Sequence, residues 1–441
     1  MLDSNEVELS TDSRFVSLTF KNANAADKNV QTATFKIVKD DNSSDSIIVS
    51  VDSLPYNTAI DSVIPTFRFV STNRVLVFRN DENGVLKDSI YLTGKDTLDF
   101  RRVFKIKNYA SDGIKSSIYR IKVLVHSLEP ELLQWRRLNS SINDDLGLDK
   151  KAIYFNNEIF LFSNSGQGVS LTKSTDGVAW TSLIGVSGLP SNVLLHNMVV
   201  FNNAIYYVHT DNSIFKSTNG VEWTKTSTQS YPFEFKNLLF VFKSKIWVIV
   251  KSDLKYRFAT SIDGVEWNVE QSIVLDSNFP ISGFAALSFK SRTNQDRVIV
   301  AGGYNSNGEL LNKVWSSSDG LYWVDFSSEN TTFGQRTGVS LIHYEDKLLC
   351  FGGADQFGNQ WPNMFLQSKD EGLSWKSADS LMWVREKLTD GTYRKYERRY
   401  NQNVIVDKDK YIYLIGGRDS ANNYFKDVWR GRLNKSVFLI K

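Results

Sequence analysis

The chain has 441 residues, of which 41% are hydrophobic, 23% charged and 13% aromatic. At about 150 residues per domain, this length predicts two or three domains with substantial cores. The 52 Lys and Arg residues nearly balance the 49 Asp and Glu residues, and no segment concentrates basic side chains, so we expect no nucleic-acid partner. The one cysteine, Cys350, lies in the apolar run 348–351, which predicts a buried, unreactive thiol.

Residues 1–128 have the alternating pattern of β-strands separated by turn-forming residues. The clearest strand is 117–125, where Tyr119 and Ile121 share one face. This pattern predicts a small β-sandwich. The segment 55–67, followed by that last strand, resembles the immunoglobulin-like modules that precede larger domains in bacterial surface lipoproteins. The resemblance implies an immunoglobulin-like domain over residues 1–128.

A repeated turn begins after residue 129. Five times, a serine is followed by Asp or Asn, then by Gly and then by Trp, and the tryptophans are 43, 44, 56 and 52 residues apart. The acidic or amide positions are Asp176, Asn219, Asp263, Asp319 and Asp370, and the tryptophans are Trp180, Trp223, Trp267, Trp323 and Trp375. A period near 45–50 residues is typical of a four-stranded propeller blade. The turn resembles the Asp-box of bacterial neuraminidase-type propellers, which implies that these residues are structural.

A second signature lies in the C-terminal half. The glycine pairs 302–303, 352–353 and 416–417 each end an apolar strand, and an aromatic residue follows twelve positions later. Those aromatic residues are Trp315, Phe365 and Trp429. The pattern resembles kelch repeats, in which the glycines let strands crowd near the channel and the aromatic ring packs between blades.

Six pairs of apolar strands between residues 152 and 415 predict six blades. The last repeat has no final strand, whereas residues 131–139 form such a strand without a blade before it. Pairing the two removes exposed edges. We therefore predict an all-β protein whose six-bladed propeller, over residues 129–441, is closed by pairing of residues 131–139 with the last blade.

Motifs for catalysis or metal binding are weak. None of the four histidines has a His or Cys at metal-ligand spacing, so we interpret them as structural and predict no metal and no cofactor. Asp-box sialidases carry an arginine within a Phe/Tyr-Arg-Ile-Pro element, but Arg136 and Arg137 are followed by Leu138 and Asn139. We predict no catalytic residue. The carboxylates of run 143–149 lack the pattern of a calcium loop and predict a solvated turn.

Two loop regions and two arginines are predicted to surround the propeller mouth. These ligand-binding candidates are Phe357 and Trp361 in loop 355–363, Tyr393, Arg398 and Arg399 in the long connection 375–404, and Arg336 and Arg418 beside inner strands. Aromatic and basic side chains of this kind stack on sugars or bind acidic partners. Three alternatives remain open: a tryptophan folded back on its blade, a solvated insertion, and structural arginines.

These features favour a non-catalytic module that binds a glycan or a protein on the propeller face. One alternative is a carbohydrate-active enzyme, a sialidase-like glycoside hydrolase or lyase, that uses carboxylates such as Asp355, Glu386 and Asp390. A second alternative is a structural scaffold for a surface complex. Loop composition alone does not choose between these classes.

The arrangement of both domains resembles exported lipoproteins of unknown function from Gram-negative gut bacteria, in which a sandwich spaces a propeller away from the outer membrane. The resemblance implies an outer-membrane lipoprotein or a periplasmic protein. Membrane contact is then expected only through a lipid anchor outside this sequence. We expect the protein to be a monomer.

Overall fold

The computed structural model describes residues 8–22, 28–39, 46–80, 85–126, 129, 131–139, 142, 149–226, 230–326, 332–362 and 364–434. Nearly all regular structure in these residues is β-strand, and the helices are short 3₁₀ turns at Asn29–Thr32, Leu195–Asn197 and Ser380–Met382. No helix in this part of the chain is both long and apolar enough to span a membrane. The protein is all-β, as predicted.

The chain forms two compact units. One runs to Leu132 and includes Asn434, and the other spans Leu133–Leu433. The strands of the N-terminal unit are β1 (Phe15–Asn22), β2 (Phe35–Lys39), β3 (Ser46–Ser50), β4 (Val63–Phe69), β5 (Arg74–Asn80), β6 (Leu86–Tyr91), β7 (Phe104–Tyr109) and β8 (Ser116–Lys122). Strands β1 and β4 pair alone, and the others form a six-stranded sheet of order β2-β3-β8-β7-β5-β6. Within that sheet β3 and β8 are parallel.

Alternating burial gives the N-terminal unit its core. Ile48, Val63 and Ile106 are fully buried with Val30 of the first 3₁₀ turn. Tyr119 and Ile121 lie on the buried face of β8, as their spacing predicts. This unit therefore has a hydrophobic core of its own.

The second unit contains 26 strands. Their bounds are β9 (Leu133–Asn139), β10 (Asp149–Phe155), β11 (Glu158–Asn164), β12 (Val169–Ser174), β13 (Ile184–Gly185), β14 (Met198–Phe201), β15 (Ala204–Val208), β16 (Ile214–Ser217), β17 (Thr224–Lys225), β18 (Glu234–Phe242), β19 (Lys245–Ser252), β20 (Lys255–Ser261), β21 (Asn268–Val269), β22 (Ala285–Lys290), β23 (Asp296–Ala301), β24 (Val314–Ser317), β25 (Val324–Asp325), β26 (Thr337–Tyr344), β27 (Lys347–Ala354), β28 (Phe365–Ser368), β29 (Lys376–Ser377), β30 (Arg385–Lys387), β31 (Tyr393–Lys395), β32 (Asn403–Val406), β33 (Ile412–Ile415) and β34 (Val428–Leu433). The count covers only the described residues.

Most of these strands form four-stranded antiparallel sheets. In the described residues the sheets are β10–β13, β14–β17, β18–β21, β22–β25, β26–β29 and β32-β33-β34-β9, and β30 and β31 form a separate hairpin. The last sheet takes its outer strand from the start of the unit, because Gly431 is paired with Trp135 and Leu433 with Leu133. This is the pairing predicted for residues 131–139.

The first strands of the sheets contact one another in a cycle. β10 contacts β14, and the contacts continue through β18, β22 and β26 to β32, which contacts β10 again. Each sheet is open, and the ring is formed by packing between sheets. This arrangement is a β-propeller, with the first strands at its centre.

The five serine turns share one hydrogen-bond geometry. In the first, the Ser174 Oγ accepts a hydrogen bond from the Gly177 N–H at 2.8 Å, and the Asp176 Oδ1 accepts one from the Val178 N–H at 2.8 Å. The equivalent acceptors in the other turns are Asn219, Asp263, Asp319 and Asp370. Their side chains satisfy the backbone of the turn, which explains the recurrence of this short pattern.

Candidate functional site

A polar cavity of about 620 Å³ lies where the first strands of the sheets meet. Its lining comes from five of the six sheets, with the residues beside their first strands, and from the 3₁₀ turn before β14. It comprises Asp149, Lys150, Lys151, Ala152, His196, Asn237, Leu238, Leu239, Gly283, Phe284, Ala285, Ala286, Gly338, Val339, Ser340, Leu341, Asn401, Gln402, Asn403, Val404, Gly417, Arg418 and Tyr424. The volume is within the range of small-molecule sites. We therefore take this central cavity as the candidate site.

Close backbone packing shapes the wall of the central cavity. Gly338 has a φ of +66°, and a Cβ atom built there would lie 2.3 Å from the Asn401 Oδ1. The Asn401 N–H donates to the Gly338 carbonyl at 2.9 Å. Only glycine allows this approach between two neighbouring first strands.

Amide side chains tie neighbouring sheets together around the cavity. The Asn403 Oδ1 accepts a hydrogen bond from the Ala152 N–H at 2.9 Å, and its Nδ2 donates to the Lys150 carbonyl at 3.2 Å. The Gln402 Nε2 donates to the Phe351 carbonyl at 2.6 Å. The two Asn403 bonds fix the backbone that carries the charged residues of β10.

Two lysines bring positive charge into the cavity. Desolvation lowers the pKa of Lys151 and of Lys150 below that of a free lysine, and the nearby Asp149 carboxylate partly opposes both effects. The positive charge of Lys426 also lowers the pKa of Lys150. In the described residues, neither ammonium group forms an ion pair with a carboxylate. A lysine with a lowered pKa loses its proton more readily, so a larger fraction of its amine is neutral and able to accept a proton at a given pH.

His196 lies in the cavity wall beside Asn237. The His196 Nε2 is 3.1 Å from the Asn237 Oδ1, and the Asn237 Nδ2 donates to the Ile281 carbonyl. Desolvation, and then the charge of Lys151, lower the pKa of His196. The imidazole is therefore more readily neutral than a free histidine at the same pH.

Arg418 and Tyr424 also line the cavity. The Arg418 Nη1 donates to the Asn422 Oδ1 at 3.2 Å and to the Tyr424 hydroxyl at 3.3 Å. Its guanidinium carbon lies 4.8 Å from the centre of the Tyr400 ring. The Arg418 Nε has no hydrogen-bond partner in the described part of the chain. Arg418 was a predicted ligand-binding residue, and it lines the cavity.

The other predicted arginines lie elsewhere. Arg336 is fully buried, with its guanidinium carbon 5.0 Å from the Phe333 ring and 4.9 Å from the Trp361 ring. Arg399 is 1% exposed and forms an ion pair with Asp427. Neither guanidinium is accessible to a ligand in this conformation. Arg336 thus matches the structural alternative that the sequence left open. Arg399 is buried and paired, which differs both from the ligand-binding prediction and from the solvated insertion that was its alternative.

The predicted aromatic residues also lie outside the cavity lining. The Trp361 Nε1 donates to the Gln335 carbonyl at 2.9 Å, and this bond holds the ring against its own sheet. Phe357 is 77% exposed at a loop tip. Tyr393 is half exposed in the hairpin β30–β31, and Arg398 is exposed after it. These residues do not converge with Arg418.

The three carboxylates proposed for an enzyme each have a local partner. Asp355 accepts hydrogen bonds from the N–H groups of its own loop, and so does Asp390. Side-chain hydrogen bonds, from Asn359 to Asp355 and from Thr392 to Asp390, and then these backbone bonds hold the pKa of both carboxyls below the usual value. Glu386 pairs with Arg394 at 2.7 Å. None of the three lines the described cavity wall, so they form no catalytic pair there.

The sequence missed Asp149, Lys151, His196 and Asn237. Asp149 was interpreted as part of a solvated turn, but it begins β10 and lines the cavity; residues 143–148 lie outside the described residues. His196 was interpreted as structural. The one available signal was the presence of polar residues at the starts of successive first strands. No group of three or more metal-ligating side chains occurs among the described residues.

The comparisons with known proteins identify the family. Residues 129–441 match the family described as "DUF6242 beta propeller domain", and residues 7–123 match the family's N-terminal domain, a domain of unknown function. The chain belongs to the DUF6242 family. Comparison with curated proteins gave no match.

Solved propellers resemble this DUF6242 chain in fold. One is "Structure of YjhT", with 11% identity and a TM-score of 0.48, covering 66% of this chain and 95% of that chain. Another is an alpha-L-arabinanase from Penicillium chrysogenum complexed with arabinobiose, with 11% identity and a TM-score of 0.44, covering 68% of this chain and 99% of that chain.

The prediction of a non-catalytic binding module is corrected at this point. One of the similar propellers is an arabinanase with a bound sugar, which fits the enzyme alternative better than the module. We therefore withdraw the module. With 11% identity and TM-scores below 0.5, neither structure assigns a substrate or a catalytic residue to this chain.

Proposed function

We propose that this protein is a carbohydrate-active enzyme and that the central cavity is its active site. The supporting observation is that Asp149, Lys151 and His196, three groups able to exchange protons, line one polar cavity. Desolvation lowers the pKa of Lys151 and His196. Convergence of titratable groups with shifted pKa values in a cleft is typical of catalytic sites.

The polar lining suits a sugar. Asn237, Asn401 and Asn403 bring amides to the wall, and Ser340 and Tyr424 bring hydroxyls. These groups both donate and accept hydrogen bonds, as the adjacent hydroxyls of a sugar ring require. A few polar groups fixed in position on rigid strands give a pocket its specificity.

The test is product analysis with the purified full chain. Soluble polysaccharides of different sugar composition are incubated with the protein, and new chain ends are identified by mass spectrometry. We expect Lys151→Met and His196→Gln each to lower turnover by at least about 100-fold, the lower end of what general acid–base groups contribute. Lys376→Met is the control, because Lys376 is exposed on the outer strand β29.

Two results would contradict the proposal. One is that no polysaccharide is cleaved under any condition. The other is cleavage that persists at the full rate in Lys151→Met and in His196→Gln. Thermal melting of each variant distinguishes a loss of activity from a loss of folding.

Finer features of the architecture and location also remain proposals. We propose that the six four-stranded sheets are the blades of a six-bladed propeller, supported by the cyclic contacts and by the pairing of β9 with β34. The serine turns are proposed to be Asp-boxes, the glycine pairs kelch elements, and the N-terminal unit an immunoglobulin-like domain. Export as a monomeric lipoprotein is proposed from the resemblance of the two-domain arrangement, and cell fractionation tests it.

A further inference from the structure

The charges in the cavity are unequal. Lys150, Lys151 and Arg418 line it, whereas Asp149 is the one carboxylate among the described lining residues. None of these cations forms an ion pair with a carboxylate in the part of the chain that the structure describes. Cations that outnumber the nearby carboxylates and are partly removed from water favour an anionic ligand.

Two of the cations lie near one aromatic ring. The Lys150 Nζ is 5.9 Å from the centre of the Tyr424 ring, and the Arg418 guanidinium carbon is also 5.9 Å from it. The Arg418 Nε has no hydrogen-bond partner in the described residues. A carboxylate next to Tyr424 would therefore meet a planar guanidinium and an ammonium together.

Hydrogen bonds fix the tautomer of His196. Because the Asn237 Nδ2 donates to the Ile281 carbonyl, the Asn237 Oδ1 faces the imidazole. An amide oxygen only accepts, so the His196 Nε2 carries the proton. The Nδ1 then has a free lone pair, and it has no hydrogen-bond partner in the described residues. His196 is thus arranged as a proton acceptor.

Resting on the proposed function, we infer that the substrate is a glycan containing uronate residues and that the cavity cleaves it by β-elimination, with His196 as the base. Arg418 and Lys150 bind the uronate carboxylate. Their charges stabilise the negative charge that develops on it when the neighbouring C5 proton is removed. Hydrolysis by a carboxylate pair fits less well, because the described lining contains one carboxylate.

The step is balanced without water or a cofactor. The His196 Nδ1 takes the proton from C5, and the electrons of that C–H bond form the C4=C5 double bond. The bond between C4 and the glycosidic oxygen breaks, and its electron pair stays on that oxygen. The imidazolium returns the proton to this oxygen. The products are a glycan with a free hydroxyl and a glycan with an unsaturated uronate end.

The experiment compares three substrate sets with the full chain. These are uronate polymers such as polygalacturonate, alginate and hyaluronan, the same polymers with their carboxyls chemically reduced, and neutral polymers. Formation of the unsaturated uronate is followed by its ultraviolet absorbance. Product masses show whether cleavage added a water molecule, as hydrolysis does and elimination does not.

We expect cleavage of at least one uronate polymer, unsaturated ends, no added water and no cleavage after carboxyl reduction. Cleavage of neutral polymers with added water would overturn this inference and leave the proposed enzyme function standing. No cleavage in any set would overturn both. Cleavage of uronate polymers with added water would support the substrate class and overturn the elimination.

Variants separate binding from chemistry. Arg418→Gln is expected to raise KM for the uronate polymer by about 10-fold or more, through loss of a charge-assisted contact. His196→Gln is expected to lower kcat on the order of 100- to 10,000-fold with little change in KM. Lys376→Met should change neither. If His196→Gln raised KM and left kcat unchanged, its assignment as the base would be contradicted.

Discussion

Tyr206, on the second strand of one sheet, packs its ring directly over Gly264, in the serine turn of the next sheet. A Cβ atom at Gly264 would lie 2.2 Å from the Tyr206 Cε1. The Tyr206 hydroxyl donates to the Asp263 carbonyl at 3.1 Å. The turn therefore also forms part of the contact between two neighbouring sheets.

This packing predicts that Gly264→Ala destabilises the propeller. The methyl group would overlap the Tyr206 ring, and alanine disfavours the φ of +77° at this position. We expect a decrease of about 2–4 kcal/mol in the free energy of unfolding, from strain and overpacking together. Gly372→Ala is the matched control, because it has a φ of +96° but its nearest neighbour would be 3.6 Å away. Equal losses from the two changes in denaturant unfolding would refute the packing argument.

The buried pair Arg399–Asp427 predicts a second loss of stability. Asp427 is 3% exposed and also accepts a hydrogen bond from the Trp429 Nε1 at 2.8 Å. Asp427→Asn leaves the buried guanidinium without its counter-charge and should cost about 3–5 kcal/mol. Glu386→Gln breaks the more exposed pair with Arg394 and should cost less than about 1 kcal/mol. Calorimetry that shows the same melting temperature for both variants would count against this assignment.

The lowered pKa of His196 predicts how its protonation and the stability of the fold depend on pH. Its pKa is lowered, chiefly by desolvation, so the unfolded chain binds this proton at a higher pH than the folded protein does. Its contribution to stability is present above the ordinary histidine pKa and is lost as the pH falls below it. An NMR titration should show His196 less than half protonated at the pH where a peptide histidine is half protonated. Asn237→Asp should raise the pKa, because a carboxylate stabilises the imidazolium; an unchanged titration would contradict the contact.

Cys350 is expected to be inert in the folded protein. It is buried, and desolvation raises its pKa to about 11 even though Arg336 lies nearby. At pH 8, about one thiol in a thousand would be thiolate, and burial blocks access to it. A thiol reagent should label the native protein only after unfolding. Tyr322→Cys, at a position that is 78% exposed in the native protein, provides the reactive control; rapid native labelling of Cys350 would show that the site opens.

Much of the fold could be predicted because its signals are local. Each serine turn satisfies its own backbone within about five residues, so the pattern survives in the sequence without knowledge of the partner sheet. The pairing of residues 131–139 followed from counting strands, and the structure shows Leu133–Asn139 against Val428–Leu433. The division of the N-terminal unit into a strand pair and a six-stranded sheet could not be predicted from the sequence. The sheet depends on the parallel pairing of β3 with β8, which are far apart in the chain.

Most residues of the candidate site could not be predicted, because the contacts that bring them together are not local in sequence. His196 and Asn237 touch across two sheets, 41 residues apart, and no local pattern marks either of them. Arg399 was predicted to bind a ligand because basic and aromatic residues alternate in its segment. Its buried partner, Asp427, lies 28 residues away and has no local signal. Arg418 was found because it follows a glycine pair that marks the end of an inner strand. Of the seven predicted ligand-binding residues, Arg418 is the one that lines the described cavity, so the sequence did not predict which side chains converge there.

The shared last sheet has a consequence for synthesis on the ribosome. Leu133–Asn139 is made about 290 residues before its partner Val428–Leu433. Until then the nascent propeller has two unpaired strand edges, at which chaperones or other chains can bind. Completion of the propeller thus waits for synthesis of strand β34. A circularly permuted gene that begins between two intact sheets would remove this wait and should shorten the time during which the chain is open to aggregation.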